Sequence, residues 1–487
     1  MTTTGDITPA IPAPASTTPP KPANYKPLLW LAATGFFMQA LDSTIVNTAL
    51  PAMAHSLGES PLRMQSVIIA YMLTMAIVIP ISGWLADRLG TRKIFFAAIF
   101  LFTVGSILCA SSNTLTQLVM SRVVQGMGGA MLLPVGRLAI LRALPRELFL
   151  PAMSFITIPG LVGPLIGPTL GGWLVEEISW HWIFLINVPI GILGGLATLR
   201  YMPDLKSDEK IPFDIGGYLL LTGGMIALSF ALDGLGELGM RHATVTLLLI
   251  FGLVSITTYW LHASRKGEHA LFSLSLFTLP SYRIGVLGNL FARIGSGSMP
   301  FLLPLLLQVC LGHTPAEAGM MMIPVALAAM LSKRFVTPMV RRFGYRRVLV
   351  VNTVMVGLSI ASFALMTGAE PTWLRILQMG LFGFFNSMQF TCMNTLTLKD
   401  LDGKHASSGN GLLSMVMMLA MSLGVASAAA VLAGFSELIG GAANTLAAFH
   451  STFITVGLMT SAAAWIFWQL PHDEPLCEEK GDPVVVQ

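Results

Sequence analysis

The sequence predicts an all-α polytopic membrane protein with 14 transmembrane helices: two six-helix bundles and two additional helices between them. Three observations carry this expectation. Only 11% of the 487 residues are charged and 54% are hydrophobic, whereas soluble domains carry roughly 25% charged residues. The apolar residues fall into runs close to the length of about 20 that a helix needs to cross the hydrocarbon core. A short cationic turn flanked by glycine, GWLADRLGTRK from Gly83 to Lys93, returns in weaker form as RRFGYRR at Arg341–Arg347. Each copy joins the second and third helix of its six-helix block, which makes the chain read as a duplication.

Residues 1–27 are rich in Pro, Thr and Ala and read as a disordered cytoplasmic arm. They lack the charged start and short apolar core of a cleavable signal. The first bundle, 28–202, holds spans near 28–50, 65–86, 94–111, 117–140, 151–174 and 182–202. A linker with two inserted helices, 203–283, follows; it opens with the mixed-charge segment PDLKSDEKIPF and carries spans near 214–235 and 243–262. The second bundle, 284–470, holds spans near 284–311, 317–339, 347–367, 374–397, 407–435 and 451–469. The polar tail 471–487 is unpromising for structure. Placing the N-terminus in the cytoplasm puts most Lys and Arg on that side, with Arg63, Arg241 and Arg375 outside. Both termini are then cytoplasmic.

Several function classes fall away at this level. Cys109, Cys310, Cys392 and Cys477 have neither metal-ligand spacing nor a disulfide framework, and the nine histidines form no metal array. There is no Ser/His/Asp triad order and no GxxxxGK[ST] phosphate loop, so an enzyme or a direct ATP-driven pump is not expected. The net charge of +4 calls for no nucleic acid. No metal or cofactor is expected, and the expected partners are the lipid bilayer and a small-molecule substrate.

Asp42 is the acid in the middle of a span. A charge there costs at least about 2.5 kcal/mol on insertion scales, which makes it a functional candidate. It can handle protons or substrate, or pair structurally beside a water-filled vestibule. Arg122 is its natural partner, on a helical face shared with Gln125, Gly126 and Gly129. Gly160 opens a stripe in which Gly163, Gly167 and Gly171 recur every fourth residue, with Pro164, Pro168 and Gly172 immediately after them. Such a surface permits one helix to rock against another; ordinary tight packing also favours it. Within the charged turn, Gly83, Asp87, Arg88, Gly90, Arg92 and Lys93 are candidates for a cytoplasmic gate, with Asp87 meeting a helix N-terminus or an arginine. The cations can equally serve as topology anchors. In the second half, Asn289 and Arg293 form an i, i+4 pair that can contact cargo, with Asn386 and Gln389 as weaker candidates beside Asp42 and Gln125.

Four motifs in order resemble those of the major facilitator superfamily, specifically its fourteen-helix drug/proton antiporters. GWLADRLGTRK resembles the loop signature, LDSTIVNTALP (Leu41–Pro51) the first-helix motif, and RVVQGMGGA (Arg122–Ala130) the fourth-helix motif of proton-coupled members. GLVGPLIGPTLGGWL (Gly160–Leu174) resembles the fifth-helix motif associated with antiport, and WHWIFLINVPIG (Trp180–Gly191) is typical of that branch. The resemblance implies the major facilitator fold and a proton-coupled efflux antiporter in a bacterial inner membrane. It implies export of small amphipathic compounds or drugs by alternating access, powered by the proton-motive force and working as a monomer. A proton-coupled exporter of an endogenous anionic metabolite or its metal chelate, or a symporter for import, is the alternative. The second turn departs from the motif, since Arg341 stands where the first has Asp87, so any latch is expected on one side only. Relatives that export multivalent cations carry further acids in late helices; here those spans hold only Glu317, at an edge, which argues against dications.

Overall fold

A computed structural model describes residues 25–144, 146–206, 212–236, 242–401, 403–439 and 444–471. Nearly all of the expected arm and tail, and part of the linker, lie outside these residues. In a bilayer every backbone N–H and C=O must find its partner within the protein, and helices do this locally. The described secondary structure is helical throughout.

The first half comprises α1 (Lys26–Leu57), α2 (Gln65–Leu89), α3 (Thr91–Ala110), α4 (Leu115–Ala143), α5 (Arg146–Glu177), the short α6 (Trp182–Leu185) and α7 (Asn187–Tyr201). The inserted pair is α8 (Ile215–Gly236) and α9 (His242–Lys266). The second half comprises α10 (Pro280–Ser296), α11 (Met299–Leu305), α12 (Pro315–Met321), α13 (Ile323–Ser362), α14 (Thr372–Leu398), α15 (Gly403–Leu438), α16 (Thr445–Ala462) and α17 (Ala464–Trp468).

Local chemistry sets several of the ends. Gly58, in the left-handed region at φ 67°, closes α1. Thr114 caps α4 by accepting from the Gln117 amide. Thr314 and Glu317 form a reciprocal capping box at the start of α12.

Among the described residues, eleven segments are long and apolar enough to cross a membrane, against the 14 expected. One of them, Pro315–Leu365, runs 51 residues and contains two expected spans on either side of a break at Gly344. There the backbone turns to φ 76°, ψ 161°. Gly90, between α2 and α3, adopts φ 101°, ψ 147°. The two cationic turns thus share one backbone conformation, which L-residues rarely adopt.

Within the first half α1 packs on α5, and α4 on both α2 and α3; within the second, α13 packs on α14 and α16, and α10 on α15. The halves meet where α2 packs on α15 and α5 on α12. A continuous apolar core crosses this seam, from Met38 and Ile45 to Leu302 and Phe453. The inserted helix α8 lies against both α15 and α2, while α9 exposes Leu247, Phe251, Val254 and Trp260. The base of this pair is tied by the buried Asp214. Its carboxylate accepts from Lys266 Nζ at 2.7 Å, His262 Nε2 at 2.9 Å, and the Gly217 and Leu271 amides, each at 3.1 Å. Burial alone would raise its proton affinity, but the bonds from Lys266, His262 and the two amides outweigh that and hold the carboxyl below its ordinary range.

Candidate transport site

Asp42 sits midway along α1, fully buried. Three donors converge on it from two other helices. Arg122 Nη1 on α4 lies 2.6 Å from Oδ2, and Gln125 Nε2, one turn along, lies 2.7 Å from Oδ1. Asn187 Nδ2, at the first residue of α7, lies 3.3 Å from Oδ1. Arg122 also donates to Gln125 Oε1 at 2.6 Å, and its guanidinium lies 3.9 Å from the centre of the Tyr71 ring on α2. Gln125 donates onward to Ser106 Oγ on α3 at 2.9 Å. The cluster therefore binds α1, α2, α3, α4 and α7 into one polar knot inside an apolar bundle. Two buried atoms in it lack a hydrogen-bond partner, the Tyr71 hydroxyl and Asn187 Oδ1.

The stripe on α5 faces the same stretch of α1. A Cβ at Gly163 would come within 2.8 Å of the Leu41 amide nitrogen, and one at Gly171 within 2.6 Å of the Ile45 carbonyl oxygen. Gly167 meets Thr44 between them. Gly160 and Pro164 share this helix, but their surroundings lie outside the described residues. Further along, α5 crosses to the other half. Gly172 is pressed against the Pro315 carbonyl, and Gly319 against that of Pro168. Thr169 Oγ1 donates to the Gly319 carbonyl at 3.3 Å, and Gln308 Nε2 donates to the Thr48 carbonyl at 2.9 Å from a π-helical turn, Leu306–Cys310. These contacts close the two halves together at the end that the charge distribution assigns to the outside.

In the cationic turn, Asp87 pairs with Arg142 in the last turn of α4. Arg88 lies over the Trp84 ring at 5.3 Å, and Trp84 in turn meets Phe213 ahead of α8. Arg92 Nε donates to the Met202 carbonyl, while Thr91 exchanges hydrogen bonds with Pro203 and Leu205. Lys93 is exposed, and a Cβ at Gly83 would meet open space. In the second half, Asn289 Oδ1 accepts from Arg293 Nε at 3.2 Å. Gln389 is occupied elsewhere, bonding Asn352 and Thr353 on α13, and makes no bond to this pair. Asn386 lies one turn before Phe390 on α14.

Sequence reasoning missed Asn187 and Tyr71 beside Asp42, Arg142 as the partner of Asp87, and Lys333 near Arg293. Asn187 lies inside a segment already singled out, WHWIFLINVPIG, and as a buried amide it had a signal. The others are set by which helices become neighbours, which no local pattern encodes. Arg137 was also passed over; it lies in α4 with its Nε buried and unpartnered.

A helical bundle in two halves, closed together at one end and carrying an acid–arginine pair buried inside the first half, is the architecture of a transporter rather than an enzyme. The family model described as Major Facilitator Superfamily matches residues 32–425 and 285–484. The chain belongs to the major facilitator superfamily. It is 52% identical over 457 residues to "Putative multidrug resistance protein MdtD" of Enterobacter sp. (strain 638), covering 93% of this chain and 96% of that one. The protein of the same name from Escherichia coli K12 is 51% identical over 449 residues, covering 91% of this chain and 94% of that one. Among solved structures, a D-xylose–proton symporter superposes with a TM-score of 0.66 at 15% identity, over 92% of this chain and 98% of that one. The human organic anion transporter MFSD10 superposes with a TM-score of 0.59 at 15% identity, over 91% of this chain and all of that one. Both likenesses concern the fold.

Proposed function

We propose that the protein is a proton-coupled antiporter that exports small amphipathic compounds across a bacterial inner membrane, with Asp42 carrying the coupling proton. The observation that supports this reading is the Asp42–Arg122–Gln125 knot: one ionisable acid, wholly buried inside the first bundle and held there by donors from α4. Protonating Asp42 removes the charge that Arg122 grips, so the guanidinium is released toward Gln125 and the Tyr71 ring. Deprotonation restores the pair and draws α1 and α4 together. A bundle that opens to the two sides in turn can then take up a proton on one side and lose it on the other. The α5 stripe gives α1 a smooth track, and the Gly172–Pro315 and Gly319–Pro168 contacts shut the outer end while the site faces inward.

The name carried by the MdtD relatives supports drugs as cargo, and the late helices' lack of further acids supports cargo other than dications. The test is transport in proteoliposomes with an imposed pH gradient and a panel of dyes and small carboxylates. Antiport requires protons to move against the cargo, and Asp42→Asn to abolish that coupling. Protons moving with the cargo would establish symport instead. Full proton-driven export by Asp42→Asn would remove Asp42 from the mechanism.

A further inference from the structure

The second half holds a buried arginine and an exposed lysine, set about one aromatic ring, that no carboxylate among the described residues neutralises. Arg293, on α10, is 8% exposed. Its Nε is bonded to Asn289, and its guanidinium carbon lies 4.4 Å from the centre of the Phe390 ring on α14. Its Nη2 is buried and has no hydrogen-bond partner. Lys333, on the first part of α13, approaches the same ring with Nζ 5.7 Å from its centre and donates to Thr391 Oγ1. No carboxylate among the described residues pairs with either cation. The Phe390 ring is left 39% exposed between them.

The first half shows what a satisfied arginine looks like. Arg122 has an acid, an amide and an aromatic face. Arg293 has the aromatic face and the amide but lacks the acid. A buried donor left unmade is costly, and more so when charged. A cation–π contact offsets part of the charge but supplies no hydrogen-bond acceptor. The missing acceptor has a defined chemistry: a planar guanidinium fork with a spare Nη donor suits a carboxylate, and a lysine nearby adds a movable point charge.

We infer that Arg293 and Lys333, set about the exposed Phe390 ring, form a subsite for the carboxylate of an amphipathic cargo whose apolar body lies along that ring. This rests on the transport reading above and names the cargo class for it. The Asp42–Arg122 pair is neutral overall when ionised, whereas this subsite adds two positive charges without an acid. The interior therefore selects for a negative head group and against lipophilic cations.

The test compares 2-naphthoate with its uncharged isostere 2-naphthamide on the full chain in nanodiscs without a pH gradient, following binding by tryptophan fluorescence. The wild type binds 2-naphthoate about tenfold or more tighter than 2-naphthamide. Arg293→Gln and Lys333→Gln each lower 2-naphthoate affinity about tenfold, the scale of one lost charged hydrogen bond. Both leave 2-naphthamide within about twofold, whereas Phe390→Ala weakens both probes. Arg293→Lys, which keeps the charge and loses the fork, retains part of the preference. Unbroken 2-naphthamide binding reports that each variant is folded; should Arg293→Gln lose it, Lys333→Gln, altered at an exposed side chain, decides. Equal affinity for the two probes, no binding of 2-naphthoate by the wild type, or a preference that survives the double Gln variant overturns the inference. Because no gradient is present, selective carboxylate binding by a chain that moves no protons refutes antiport and leaves the subsite standing. Coupled export without charge preference does the reverse.

Discussion

At the scale of single residues, the Asp42 carboxylate is held by one charged and two amide donors, and that asymmetry makes substitutions informative. Asp42→Asn keeps an oxygen for Gln125 or Asn187 and removes the charge. Its expected result is a folded protein in which proton-driven export falls to background while cargo exchange without a gradient continues; counterflow measurements on the same vesicles check both. Arg122→Ala leaves a buried carboxylate without its counter-charge, a loss of roughly 3–5 kcal/mol. The expected drop in melting temperature is largely recovered in Asp42→Asn/Arg122→Gln, and an equally unstable double variant would mean the knot's stability comes from elsewhere. Asp42 and Arg122 could be singled out in the sequence because a charge in an apolar run stands out whatever the fold. Their contact could not be read there, nor could the Tyr71 face or the Asn187 amide, since these depend on α1, α2, α4 and α7 meeting at one depth. Gln389 shows the converse: a buried amide that looked available for cargo is spent joining α14 to α13.

At the scale of elements, the small-residue stripe is a statement about distance. A valine at Gly163 would push into the Ala40–Leu41 backbone, one residue from the buried acid. Gly163→Val is expected to lower the transport rate at least about tenfold with little change in expression, as flux assays and membrane yield would show; unchanged flux would reduce the stripe to packing. The inserted pair yields a prediction in pH. Because the folded Asp214 carboxyl lies below its ordinary range, its ties are in full force above about pH 4 and weaken as pH falls further. Asp214→Asn is expected to cost about 1.5–3 kcal/mol at neutral pH, the range for hydrogen bonds to a charged group. The gap between the melting curves of wild type and variant should begin to narrow as pH falls below about 4, and a gap that did not narrow there would assign the effect to packing. Helix positions were legible because apolar runs of bilayer length admit little else. The hidden break at Gly344 was legible only as the echo of a charged turn, and its identity with Gly90 emerges from backbone angles. Asp214 was visible as an acid at a helix end, but its four donors come from later chain, from Gly217 to Leu271, and from no local pattern.

At the scale of the whole molecule, superfamily membership was readable because four motifs fall in order on successive helices, and the family match and fold neighbours agree with it. Placement of α8, rather than α9, against α2 and α15 was not readable, since either helix could have faced lipid on both sides. The Asp87–Arg142 contact lies within one half, so it stiffens the first bundle rather than bolting it to the second. Asp87→Arg is expected to slow transport, and Asp87→Arg/Arg142→Asp to recover part of the rate; a double variant no faster than the single would dissolve the pair as a functional contact. The charge distribution predicts both termini in the cytoplasm, which reporter fusions at each end can check.

The grip of Thr91 and Arg92 on the segment from Met202 to Leu205, with Asp214 anchored a few positions later, has a mechanical consequence. The chain is pinned to the first bundle where it leaves α7 and pinned again at the root of α8, so the inserted pair is approached from two fixed points. Inserting a Gly-Ser stretch after Lys206 should slow transport if those points must move together, while leaving every described buried contact intact.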